Sequence, residues 1–214
     1  MNENVANVIC CPACHGALRA GRRELQCEGC GITYRIQNEV PIFIREDVVA
    51  VAPDHLSNPI GAEFEAILRK GDEFILHIGA GATARKYSNC VEFEHKIFKH
   101  TDVVGDAHQL PFRDASFDRV FAFNVFEHLR EPARAAAEIA RVLKPTGAIA
   151  IHTAFLQEMF MSSCWKMLAS ACIARVGATF IAQFGERQQC HYWQEMPLGG
   201  ETYIRKTPLV PQMF

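Results

Sequence analysis

The chain has 214 residues, a formal net charge of −2 and a pI near 6.5. So even a balance excludes a broadly basic surface of the kind that binds nucleic acid through clustered Lys and Arg, while the length allows one substantial core plus a small accessory domain that apolar burial alone would not hold together. The start MNENVANV has no basic stretch followed by an apolar one, so no secretory leader is read and a cytoplasmic location is expected.

Two close cysteine pairs come first, Cys11-Pro12-Ala13-Cys14 and Cys27-Glu28-Gly29-Cys30. In a reducing compartment such pairs bind metal more often than they form disulfides, and two of them about a dozen residues apart complete a tetrahedral site. The expected ligands are therefore Cys11, Cys14, Cys27 and Cys30 around a structural Zn2+, since four thiolates leave no open position for chemistry. Short apolar stretches at Leu18, 24–26, 32–36 and 40–44 alternate with turns, so residues 1–46 read as a small β-rich ribbon, with Gly16 and Gly31 at the tight turns behind each pair. Cys10, Cys90, Cys164, Cys172 and Cys190 lack such pairing and read as ordinary buried or partly buried thiols.

Residues 47–71 read as a linker and a leading helix, with Phe64, Ile67 and Leu68 on one face and Gly71 as the stop. From residue 72 to about 157 the pattern changes to a doubly wound, mostly parallel α/β sheet. Strands are expected at 74–78, 90–94, 103–105, 119–123 and 148–152, with an alanine-rich helix over 132–143 ended by Lys144-Pro145-Thr146-Gly147. The stretch 95–102 is too short for an ordinary crossover helix, so either that connection is a loop or a strand is misplaced.

The first of these strands ends in His77-Ile78-Gly79-Ala80-Gly81-Ala82-Thr83. A strand that runs through GxG into a helix brings bare backbone to a ligand at the carboxyl edge of an open sheet. Glu94 ends the next strand, where a carboxylate accepts both hydroxyl protons of a ribose; Glu92 shares its face and competes for the role. The third strand ends in Gly105-Asp106-Ala107-His108-Gln109-Leu110-Pro111-Phe112, where Asp106 is placed to accept an adenine amino proton.

This ordered series, with Phe117-Asp118-Arg119-Val120, Asn124-Val125-Phe126-Glu127-His128-Leu129 and Arg141-Val142-Leu143-Lys144-Pro145, resembles the class I S-adenosylmethionine-dependent methyltransferases over about residues 73–155. The resemblance implies a Rossmann-like fold and S-adenosyl-L-methionine as cofactor. It implies contacts from the Gly79 and Gly81 turn with His77, from Glu94 to the ribose, from Asp106 and the Ala107 backbone to adenine, and from Asn124 beside the methyl group. No catalytic base is assigned, because an activated methyl needs mainly alignment; His128, His108 and Glu127 are noted without a role. His77 stands where the family has an acid, and Thr83, where it has a third glycine, would cap the following helix. The front of the chain, with Gly31-Ile32-Thr33-Tyr34-Arg35-Ile36 and Val40-Pro41-Ile42-Phe43, resembles the small zinc-ribbon partners of transfer-RNA and protein methyltransferases.

Residues 158–214 depart from the family's ending and read as a divergent tail, or as the product of a reading-frame slip, with strand candidates at 178–184 and 201–205. The apolar run from Met159 to Phe184 is broken by Lys166 and Arg175, so no membrane span is expected. The expected activity is methyl transfer to an unidentified acceptor, small or macromolecular. The alternatives are a catalytically degenerate fold serving as a zinc-ribbon interaction module, or an RNA methyltransferase. Charge does not favour RNA, because residues 1–50 set Arg19, Arg22, Arg23, Arg35 and Arg45 against six acids.

Overall fold

A computed structural model describes residues 1–153 except 56 and 58, together with 179–185 and 191–196. The strand candidate at 201–205, most of the apolar run from Met159 to Phe184, and Cys164, Cys172 and Cys190 lie outside the described residues. Among the described residues no helix is long and apolar enough to cross a membrane.

A short helix that the sequence did not signal, α1 (Glu3–Val8), opens the chain; the Asn2 side chain accepts the Asn4 amide at 3.0 Å. Four antiparallel strands follow, β1 (Leu18–Ala20), β2 (Glu24–Cys27), β3 (Thr33–Gln37) and β4 (Val40–Ile42). The turn between β3 and β4 uses Asn38 and Glu39, both with positive φ (50° and 65°), the geometry that matches strand twist in a two-residue hairpin. Helix α2 (Ala62–Lys70) stops at Gly71, as its apolar spacing suggested.

The α/β sheet then assembles from β5 (Ile75–Ile78), β6 (Cys90–Glu94), β7 (Val103–Val104), β8 (Phe117–Phe123) and β9 (Leu143–Thr153), with α3 (Pro132–Val142) before β9. Two further strands, β10 (Thr179–Gly185) and β11 (His191–Met196), extend it; β10 matches the strand candidate at 178–184 and β11 carried no sequence signal. The full order is β1-β2-β3-β4-β7-β6-β5-β8-β9-β10-β11. Neighbours from β4 to β10 run parallel, and β11 turns back antiparallel on β10. The ribbon therefore joins the α/β sheet at its β7 edge, where Ile42 pairs with Val104 and the Phe43 amide donates to the Val104 carbonyl at 2.8 Å.

Because strand side chains alternate, each face of the sheet has its own core. Leu76, Ile78, Val91, Phe93, Val120, Ile149 and Ile151 face α3 and also cluster with Val5, Ile9, Leu25 and Phe43 of the ribbon. Ile75, Cys90, Phe121 and Ala150 face Phe64 and Leu68 of α2. Cys10 and Cys90 are buried thiols, as expected.

Two local expectations change and one open question closes. No helix follows the glycine turn: residues 79–89 are loop and turn, so Thr83 caps nothing. The connection 95–102 is likewise helix-free, which settles the short-crossover question in favour of a loop. Helix α3 ends at Val142 and Leu143 already pairs with Phe117; the register then jumps to Arg119 against Ala148, leaving 144–147 as a bulge opposite Asp118. Pro145, which has no amide to offer a ladder, fits that bulge.

What holds the helix-free 79–89 segment is a buried polar cluster. The Thr83 hydroxyl donates to Glu92 Oε1 at 2.8 Å and lies 3.0 Å from His100 Nδ1. Lys86 Nζ donates to the His100 carbonyl at 3.1 Å and pairs with Asp102, whose carboxylate also accepts the Glu92 amide at 2.8 Å. Glu92 Oε2 is buried with no hydrogen-bond partner among the described residues, and burial, only partly offset by Lys86, pushes the Glu92 carboxyl up to about 7. On the opposite face, the nearly buried Arg141 fastens the loop after β7. It donates to the Phe112 carbonyl at 2.6 Å, the Leu110 carbonyl at 2.9 Å and Asp114 at 2.9 Å, and forks onto Glu138.

Two expectations follow from these anchors. Arg141→Ala leaves two buried carbonyls unpaired and Glu138 with only the Leu110 amide, and should lower unfolding free energy in urea by about 3 kcal/mol, whereas Asp114→Ala, at a carboxylate 73% exposed, should cost under about 1 kcal/mol. Glu92 binds its proton more tightly folded than unfolded, so its contribution to stability is complete below about pH 4.5 and is lost as pH rises through about 7. Glu92→Gln should therefore gain on the parent across that window by up to about 3 kcal/mol, read from denaturation midpoints at stepped pH.

Candidate functional site

All four predicted sulfur ligands converge. The Sγ atoms of Cys11, Cys14, Cys27 and Cys30 lie within 4.8 Å of one another, with Cys11 and Cys30 at 3.6 Å and Cys14 and Cys27 at 3.4 Å. A tetrahedral zinc with Zn–S bonds of about 2.3 Å needs sulfurs about 3.8 Å apart, so the donor set fits the ion. The amides of Gly29 and Cys30 point at Cys27 Sγ (3.3 and 3.4 Å), and the Cys30 amide leads in drawing the Cys27 thiol down to about 6, near the thiolate form that a metal requires. Tyr34 lies 3.1 Å from Cys11 Sγ through its hydroxyl. Gly16 is explained by space rather than by φ: a Cβ there would stand 3.2 Å from the sulfurs of both Cys14 and Cys27.

The second site lies at the carboxyl ends of β5, β6, β7 and β8. A cavity of about 740 Å³ opens there, lined by Gly79, Glu94, Asp106, Ala107 and Asn124 among the residues anticipated from sequence. Its volume suits a nucleoside-sized ligand. Gly79 sits at φ 68°, and a Cβ on it would come 2.4 Å from Val125 Cγ2, so any side chain there would fill the floor. Glu94 Oε1 accepts the Gly81 amide at 2.6 Å and Oε2 accepts the His95 amide at 3.0 Å, which leaves each oxygen one lone pair for a ligand hydroxyl. Burial raises the Glu94 carboxyl, partly offset by those two amides.

Among the described residues Asp106 is engaged through one oxygen only. Its Oδ1 accepts the His108 amide at 2.9 Å and lies 2.5 Å from His108 Nδ1. Burial pulls the Asp106 carboxyl upward, but the bonds from His108 outweigh it and hold it below its ordinary value. His108 Nε2 in turn accepts the Glu131 amide at 3.1 Å, so this imidazole orients Asp106 rather than standing free as a base. Asn124, with φ 54°, carries a buried Oδ1 that no donor of the described residues reaches, an acceptor available to a bound donor. Four carboxylates, from Glu46, Glu94, Asp106 and Glu131, line the cavity against the guanidinium groups of Arg130 and Arg134, a balance suited to a sulfonium cation.

His77 and Gly81 do not line the cavity. His77 is buried in β5 with its ring edge-on to Phe121 and Phe123 (5.9 and 5.6 Å), and burial, followed by Lys86, lowers it to about 4, so it is neutral. The Gly81 amide is spent on Glu94, and the Ala82 amide donates to Ser57 Oγ of the linker at 2.8 Å. Glu92, the competitor to Glu94, is buried against Thr83 outside the cavity. The exposed His128, on a 3-10 turn (Phe126–His128), lines the opening with Arg130 and Arg134, two residues that no sequence motif had marked.

Reduced full-length protein should carry one zinc per chain by metal analysis. Cys27→Ser should lose it, and with it on the order of 10 kcal/mol of local folding energy, read as collapse of hydrogen-exchange protection over residues 11–45.

Residues 62–151 match the family described as Methyltransferase domain, and residues 3–39 match the family described as Trm112p-like protein. The chain is 30% identical over 135 residues to O-methyltransferase rstn1 of Aspergillus nomiae, covering 52% of this chain and 59% of that protein. It is 35% identical over 106 residues to the malonyl-[acyl-carrier protein] O-methyltransferase of Methylococcus capsulatus, covering 48% of this chain and 34% of the relative. A solved structure of a candidate methyltransferase from Bacillus halodurans overlaps 58% of this chain and 47% of its own, at a TM-score of 0.31 and 17% identity. The chain thus spans roughly a third to three fifths of the curated relatives named here. Residues 62–151 are thus similar to a methyltransferase domain, and residues 3–39, which hold the cysteine cluster, are similar to a Trm112p-like protein.

Proposed function

We propose that this protein transfers a methyl group from S-adenosyl-L-methionine to an oxygen of an acceptor, with Zn2+ structural in the ribbon. The observation that carries the reading is the cavity at the strand ends, where Gly79, Glu94, Asp106 and the unpartnered Asn124 Oδ1 meet. Glu94 would take the ribose hydroxyls, Asp106 Oδ2 and the Ala107 backbone the adenine edge, and Asn124 the donor beside the reacting centre. The bound sulfonium supplies an already activated methyl group, so the chain's residues have to bind, align and exclude water. An oxygen acceptor is proposed because the two curated relatives described above are named O-methyltransferases. The Trm112p-like ribbon supports a role in presenting that acceptor or a partner.

A rival reading has one observation in its favour. The Gly81 and Ala82 amides are occupied within the chain and no helix N-terminus follows them, which suits a degenerate fold used only as an interaction module. Calorimetric titration of the full chain with S-adenosylhomocysteine separates the two. Micromolar binding is expected, weakened about 10- to 100-fold in Glu94→Ala and in Asp106→Ala and abolished in Gly79→Ala. A folded, zinc-loaded sample that binds none of it would leave the interaction module standing and remove the enzyme.

A further inference from the structure

A second groove, about 470 Å³ in volume, runs along the ribbon beside β3 and β4 and is lined by three arginines, Arg23, Arg35 and Arg45, against the single carboxylate of Glu24. Among the described residues none of the three guanidinium groups pairs with a carboxylate. Arg35 is nevertheless held in place: its guanidinium donates to the Arg45 carbonyl at 3.4 Å and to the Glu46 carbonyl. Part of its fork stays available, and its conformational cost is already met by backbone. Thr33 and Gln109 add neutral donors to the same wall.

The groove and the strand-end cavity are neighbours. Arg45 and Gln109 line the groove, while Glu46 and His108, the residues beside them in the chain, line the cavity. Their charge is opposite, since the cavity sets four carboxylates against two guanidinium groups and the groove sets three guanidinium groups against one carboxylate. An anion is thus repelled from much of the cavity and attracted to the groove next to it. Planar guanidinium forks match the oxygen geometry of phosphate and carboxylate.

We propose that the ribbon groove binds an oxyanion, a phosphate or carboxylate group carried by the methyl acceptor, and so holds the acceptor with its nucleophilic oxygen turned toward the strand-end cavity. The link to the acceptor rests on the methyltransferase reading; the anion site itself does not. The ribbon then acts in substrate binding, with its zinc keeping β2 and β3 in place beneath the arginines.

The test is calorimetric titration of the zinc-loaded full chain with inorganic pyrophosphate and, separately, with citrate, at ionic strength held constant with chloride. One saturable site is expected, weakened about tenfold or more by Arg35→Gln and by the double variant Arg23→Gln, Arg45→Gln. In that double variant no side-chain hydrogen bond of the described residues is lost, so folding is not at stake. Pyrophosphate binding alone assigns a phosphate-bearing acceptor, citrate binding alone a carboxylate-bearing one, and either supports the site. No saturable binding by either probe, or unchanged affinity in both variants, overturns it. S-adenosylhomocysteine titrated into the same variants should bind as in the parent. Loss of that ligand in the parent, with pyrophosphate binding intact, would count against the methyltransferase reading and leave the anion site standing.

Discussion

The parallel register of β7, β6, β5 and β8 is the constraint on which the site depends. Ile78 lies beside Phe93 and Ala122, so Gly79, Glu94, Asp106 and Asn124 all emerge at one edge although they come from four separate connections. The register is enforced by burial on both faces, because a slip of one residue would exchange Leu76, Val91 and Val120 with Ile75, Cys90 and Phe121 across the sheet. Parallel strands buried on two sides demand continuous apolar runs, which these segments are, apart from Asp118 and Arg119 where β8 begins, and from His77 and the acids of β6 deeper in the sheet.

Those exceptions show how the chain replaces a missing element. Where a crossover helix would cover the sheet after β5, only a loop is present, and Glu92, Thr83, His100, Lys86 and Asp102 close the gap by hydrogen bonding rather than by apolar packing. A buried carboxylate with one unsatisfied oxygen is costly, and it is tolerated because the same group fixes the loop whose Gly79 lines the cavity. The neutral, aromatic-packed His77 belongs to this layer, beneath the cavity rather than in it.

The ribbon is joined to the rest by more than a linker. Val5, Ile9, Leu25 and Phe43 share one buried cluster with Leu76 and Ile149, and β4 extends the sheet through β7. Folding of the cysteine turns and of the sheet edge are thereby coupled: the Tyr34 ring, 4.9 Å from Phe43, carries its hydroxyl to Cys11 Sγ. The same junction sets the arginine groove beside the strand-end cavity, so the proposed anion site and the proposed cofactor site would share one continuous core.

Sequence alone determined the features that depend on local chemistry: two CxxC turns that make a tetrahedral sulfur set, apolar runs that become strands, and a GxG with an acid at the end of each of the next two strands. These are legible because periodicity and ligand spacing are short-range properties of the chain. Tertiary structure decided what depends on distant partners. Short connections left no room for the helix after Gly81, so Thr83 turned to Glu92; burial between two phenylalanines took His77 out of the site; His108, tied between Asp106 and the Glu131 amide, became an orienting group. The meeting of Arg23, Arg35 and Arg45 in one groove had no sequence signal either, because residues spaced along a meander share a wall only once the strands have paired.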